Sequence, residues 1–100
     1  MSGRRGGYWL SPLAEADLEE IWLYSFREWS ADQADKYHND IVSAFDGIAA
    51  GTKKGRPVDI REGYFKYAVG SHVFYYKQVD TGEIIIIRIL HQRMDANRHL

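Results

Sequence analysis

One hundred residues, 45% of them apolar and 27% charged, describe one globular domain with a modest core and leave no room for a second. The absence of cysteine excludes disulfides and thiolate chemistry and fits a reducing compartment. The longest apolar run, Ile84 to Leu90 counted through Arg88, falls far short of the ~20 residues that span a bilayer. No apolar stretch of signal-peptide length follows the basic N-terminus, so the expectation is a soluble, cytoplasmic chain with no membrane association. Net charge is only −1, but residues 1–50 carry 4 Lys/Arg against 9 Asp/Glu, and residues 51–100 carry 9 against 5. That asymmetry suits a second half that faces an anionic surface or an acidic partner; acids gathered on helices and bases on strands is the plainer account.

Residues 1–7 read as a flexible arm, because Gly and Arg bury little, and residues 8–100 as the domain. The arm's glycines make no phosphate loop, since no strand precedes them and no Lys-Ser/Thr pair follows. Tyr8, Trp9 and Leu10 form a short first strand. Ser11-Pro12 then opens a helix: the serine oxygen accepts from free amides, and proline at the first helical position lacks only a hydrogen that would go unpaired. That helix runs from about Pro12 to Glu28 and turns Ala14, Leu18, Ile21, Trp22, Ser25 and Trp29 to one face. Leu23, Tyr24 and Phe26 spread to its flanks. They either pack under a loop or the sheet, or form a groove that wants a partner.

Ser30-Ala31-Asp32-Gln33 fits a capping box, so a second helix starts almost at once and the two form an antiparallel hairpin. Ala34, Tyr37, Ile41, Ala44, Phe45 and Ile48 make its buried face, with Gly51 suited to the C-terminal cap. His38 sits at the rim of that face and reads as a packed or half-exposed histidine and not a ligand. A basic loop follows, with Lys53, Lys54, Arg56, Pro57 and Arg61. Then come three strands: Tyr64–Val69, a Gly70-Ser71 two-residue turn, His72–Val79, and, after Asp80-Thr81-Gly82, the isoleucine run Ile84–Leu90. A strand apolar on both faces belongs in the middle of a sheet. The fold class is α+β in the order β-α-α-β-β-β: a helical hairpin on a small, mainly antiparallel four-stranded sheet.

Directly after the isoleucines the chemistry inverts, through His91, Gln92, Arg93, Asp95, Asn97, Arg98 and His99. No metalloprotease, nucleophile-elbow, Walker or calcium-loop motif is present. His72, His91 and His99 lack the close spacing of metal ligands, so no metal and no cofactor is expected. General acid–base cleavage of RNA needs a base, an acid and cations, which Arg61, His72, Arg88, His91 and Arg93 can supply only if they converge. Arg88 can equally be a solvent break in an apolar strand and His72 the polar entry to one. Near-neutral charge argues against direct nucleic-acid binding.

Several segments, in this order, resemble the RelE/ParE toxin superfamily and its ParE branch. They are Leu10-Ser11-Pro12, Asp17 through Trp22 with Tyr24, Trp29-Ser30 with Gln33-Ala34 and Tyr37, Ile60 through Tyr64 with Lys66, and Gly70 through Val73 with Tyr75-Tyr76. Arg88-Ile89-Leu90-His91-Gln92-Arg93-Met94-Asp95 is the most specific. The resemblance covers residues 8 to 100. It implies the toxin of a type II toxin–antitoxin system, acting on DNA gyrase by binding and not as an enzyme, and neutralised by a ParD-like antitoxin in a hetero-oligomer. The alternative within the superfamily is a RelE-like, ribosome-dependent mRNA endonuclease. Such enzymes use clustered Lys and Arg with a late Tyr or His, whereas this chain has no tyrosine after Tyr76. Exposure arguments assign antitoxin contacts to Leu23, Phe26, Arg61 and Lys66, and target contacts to His91, Arg93 and Arg98. No catalytic residue is assigned.

Overall fold

In chain order the elements are β1 (Arg4–Arg5), β2 (Tyr8–Leu10), α1 (Pro12–Glu28), α2 (Ala31–Ala50), β3 (Arg56–Pro57), β4 (Tyr64–Val69), β5 (His72–Gln78), β6 (Ile84–His91) and a closing 3-10 turn, Ala96–Arg98. The computed structural model describes residues 4, 5 and 7–100, with side chains from Gly7 onward. The expected arm at residues 1–7 therefore lies largely outside the described residues, although the backbone of Arg4–Arg5 pairs antiparallel with Tyr8–Trp9.

Both helices begin where their serines place them. Ser11 Oγ accepts from the Ala14 amide and Ser30 Oγ from the Gln33 amide, each at 3.0 Å. Helix α2 ends on Gly51, whose φ of +82° is the left-handed cap that glycine takes without steric cost. The sheet order is β1-β2-β6-β5-β4-β3. Its central four strands are the ones the sequence predicts, and among the described residues only β2 and β6 run parallel. The four-stranded expectation is corrected at the two edges, where β1 and β3 add two residues each. Arg4–Arg5 and Arg56–Pro57 are too short and too polar to carry an alternating pattern, which is why sequence periodicity passes over them.

Strand β6 lies between β2 and β5, as its apolar faces require. Its register against β5 slips at Tyr75/Tyr76, which leaves Ile87 as an extra residue. That bulge changes the phase of the strand. Ile84 and Ile86 face the helices before it, and Ile89, not Arg88, returns to the core after it. The core joins them to Tyr8, Leu10, Leu18, Ile21, Ile41, Phe45, Ile48, Phe74 and Tyr76. Phe45 packs its edge on Phe74 at 4.7 Å between ring centres and lies 5.3 Å from Tyr8, tying α2 to the strands on either side of β6.

Trp29 departs from the helical face predicted for it. The helix stops at Glu28, and φ −129°, ψ −84° at Trp29 swing that ring out until it is 75% exposed. Arg88 is no solvent break. Its guanidinium makes two bonds to Asp17, at 2.8 and 2.9 Å, and both side chains are mostly buried.

Candidate partner-binding surfaces

The edge of β6 is closed from within the chain. Strand β2 stops at Leu10, so the backbone of β6 beyond Ile86 has no strand on the side away from β5. Helix α1 takes that place. The Ser11 amide donates to the Ile86 carbonyl and the Ser11 hydroxyl to the Ile87 carbonyl, at 3.0 and 2.7 Å. The Asp17 carboxylate then accepts from the Ile89 amide at 2.9 Å as well as from Arg88. Charge-assisted bonds of this kind are stronger than neutral ones, and the Arg88 guanidinium is held above its ordinary pKa chiefly by the bond to Asp17. Sequence reasoning missed this clamp. A single arginine inside an isoleucine strand was the available signal, because a charge taken out of water needs a partner.

Past that clamp the chain reaches a second knot. The Tyr37 hydroxyl of α2 donates to the Val69 carbonyl at 3.0 Å, accepts from the Ser71 amide at 3.1 Å, and lies 2.7 Å from His72 Nδ1. With its one proton on Val69, Tyr37 needs His72 to donate from Nδ1, an assignment made from the hydrogen-bond network. Gly70 is required here: a Cβ would meet the Tyr37 ring at 2.7 Å, and its φ is +56°. His72 pairs across the ladder with His91, the rings 5.4 Å apart and edge to face. Burial, then the neighbouring His91, pushes the His72 pKa down; Asp17 pulls weakly the other way.

The residues proposed for target contact leave from this knot. His91 is half-buried at the end of β6, and its Nδ1 accepts from the Arg93 amide at 3.2 Å, so a tight local turn brings these two together. Arg93 is exposed. Arg98 lies further on, in the 3-10 turn that Asp95 caps, with its guanidinium drawn to Asp95 at 3.9 Å on the open surface. The five groups that RNA cleavage would need do not converge. His72 and His91 meet, with Arg93 two residues beyond His91, but Arg88 is committed to Asp17. Arg61 stacks over Tyr64 at the far end of β4, roughly 17 Å of strand from Val69.

The antitoxin candidates also divide. Along α1, Trp22, Leu23 and Phe26 share the flank away from Asp17. Trp22 and Leu23 line an open cleft of about 650 Å³ with Leu10, Leu18 and His38, and Phe26, half-exposed, stacks on Trp22 at 5.3 Å. Trp22 Nε1 donates to Asp35 at 2.9 Å, bridging the two helices of the hairpin at the cleft. Glu15, Glu19 and Asp35 also line it, so its rim is acidic. Arg61 and Lys66 are elsewhere, both exposed on the β3–β4 side of the sheet. Among the described residues no group of three or more His, Asp or Glu side chains is arranged to hold a metal ion, and no helix is long and apolar enough to cross a membrane.

The family described as "ParE toxin of type II toxin-antitoxin system, parDE" matches residues 8–96. The chain is 46% identical over 94 residues to the toxin ParE1 of Mycobacterium tuberculosis, spanning 93% of this chain and 96% of that one. It is 42% identical to the toxin ParE1 of Caulobacter vibrioides over the same shares. Its fold superposes with a TM-score of 0.73 on a chain from the chromosomal ParDE system of P. aeruginosa, at 24% identity and covering 85% of this chain and 94% of that one.

Proposed function

The chain belongs to the ParE toxin family of type II toxin–antitoxin systems, and from that premise we propose that it arrests growth by binding DNA gyrase and is neutralised by a ParD-like antitoxin. The observation that carries a binding reading over a catalytic one is the dispersal of the groups cleavage would need. Arg88 is neutralised by Asp17, and Arg61 stands at the opposite end of the sheet from the histidines. Of the three arginines only Arg93 adjoins His91, so charge developing on a phosphate there meets one exposed cation and not a cluster.

The largely exposed segment from His91 through Arg98 is the target surface in this reading, with the half-buried His91 and the exposed Arg93 and Arg98 as its contacts. The antitoxin binds elsewhere, in two stretches. A helix lays apolar anchors into the cleft against Leu23 and Phe26, each large anchor contributing ~1.5–3 kcal/mol. The acidic rim there calls for basic residues beside those anchors. An acidic stretch of the same partner meets Arg61 and Lys66. A few anchors outweigh the ~2–5 kcal/mol cost of ordering a disordered segment.

The RelE-like ribonuclease reading draws on one feature, the edge-to-face His72–His91 pair, which can act as acid and base. A direct comparison separates the two. Purified protein is expected to block gyrase supercoiling and to leave ribosome-bound messages intact. Cleaved messages with untouched supercoiling would reverse the assignment, and His91→Ala would then abolish cleavage in a folded protein.

A further inference from the structure

We propose that the outer edge of β4 receives an acidic, extended peptide as an added β-strand beside Ala68, its carboxylates set against Lys54, Arg56 and Lys66. The proposal rests on Lys66 facing a partner and adds the backbone that does the pairing and the form the partner takes. The two-residue turn at Gly70-Ser71 is closed by Val69 and His72, so Val69, Tyr67 and Phe65 turn their amides and carbonyls toward β5. Alternation then sends those of Tyr64, Lys66 and Ala68 outward. The Tyr64 carbonyl accordingly accepts from Val58 at 3.0 Å, and Lys66 pairs with Arg56. Strand β3 is only two residues long, and no strand continues it opposite Ala68 among the described residues.

A trough of about 580 Å³ opens at this point, lined by Lys54, Gly55, Arg56, Lys66, Ala68 and Val73, with Tyr67 behind. Three cations, no acid and a small apolar floor match a strand that alternates carboxylates with apolar side chains. Unpaired edge groups beside such a floor are a template for strand addition. A nucleic-acid strand fits less well. Bases need a free aromatic face, but Tyr64 lies under Arg61 and Lys77, and Tyr67 has Lys53 over its ring.

The test uses the full chain and a capped ten-residue peptide of alternating valine and glutamate. Titration is expected to show saturable binding that weakens with salt and falls at least tenfold in Lys54→Glu/Lys66→Glu. Hydrogen exchange of the Ala68 amide in the wild-type protein is expected to slow at least tenfold at saturation, and this reading needs no variant to fold. Replacing the central valine with proline is expected to abolish both effects. An unchanged Ala68 exchange rate, binding indifferent to the charge reversals, or preferential binding of a ten-residue thymidine oligonucleotide would overturn the proposal, the last by reassigning the trough to nucleic acid. Gyrase plays no part in these measurements. A protein that inhibits gyrase yet ignores the peptide sinks this inference alone, and one that binds the peptide yet spares gyrase sinks only the target assignment.

Discussion

The open sides of β6 and β4 pose the same problem, backbone groups with no neighbouring strand, and the molecule treats them in opposite ways. Beside β6, Ser11 and Asp17 supply the missing partners from α1, and Arg88 closes the clamp. Beside β4, pairing lasts for two residues and gives way to cations. A buried edge must be satisfied internally, because an unpaired amide away from water costs as much as a lost hydrogen bond. An exposed edge can wait for a partner, and charge keeps it from pairing with copies of itself. One side of the sheet is finished architecture and the other is kept available.

The sharpest way to break this contrast is Asp17→Ala. It orphans both the Ile89 amide and a mostly buried guanidinium, with an expected loss of about 3 kcal/mol in urea denaturation. Asp17→Asn, which retains an acceptor but no charge, is expected to recover part of it. Next comes Gly70→Ala, where a positive φ and the Tyr37 ring both oppose a Cβ; a loss of about 2 kcal/mol is expected in the same assay. His72 gives a smaller, pH-dependent effect. Its folded pKa lies below the ordinary 6.5, so the unfolded chain binds the proton more readily. The stability it contributes is full above about pH 6.5 and declines as pH falls through that value. His72→Gln is expected to flatten the decline in denaturation midpoints measured between pH 7.5 and 5.5. Lys66→Glu, on the open edge, is expected to change stability by no more than about 0.5 kcal/mol while weakening capture of an acidic partner.

Much of the fold was legible because local signals agreed. Ser11-Pro12 and Ser30 through Gln33 start the helices, Gly51 and Gly70 mark a cap and a turn, and the isoleucines announce a central strand. The two-residue strands were not legible, since their pairing is set by neighbours and not by pattern. Nor was the place of Trp29: the helix was expected to end at Glu28, as it does, but the backbone turn at Trp29 that takes its ring off the helical face leaves no mark in the residue pattern. The family was readable from ordered segments, whereas its working surfaces were not. Asp17 and Arg88 lie 71 positions apart, and nothing local to Asp17 distinguishes it from Glu15 or Glu19 beside it. The cleft's acidic rim likewise emerges only when Glu15 and Glu19 of one helix face Asp35 of the next.

The central claim is that target and antitoxin meet different surfaces, the first on the segment that follows the closed edge of β6. Deleting Met94–Leu100 and measuring gyrase inhibition and antitoxin affinity on the same preparation tests it most directly. The account predicts that inhibition falls far more than affinity while the circular dichroism of the fold is kept. Equal loss of both in a folded protein would contradict it.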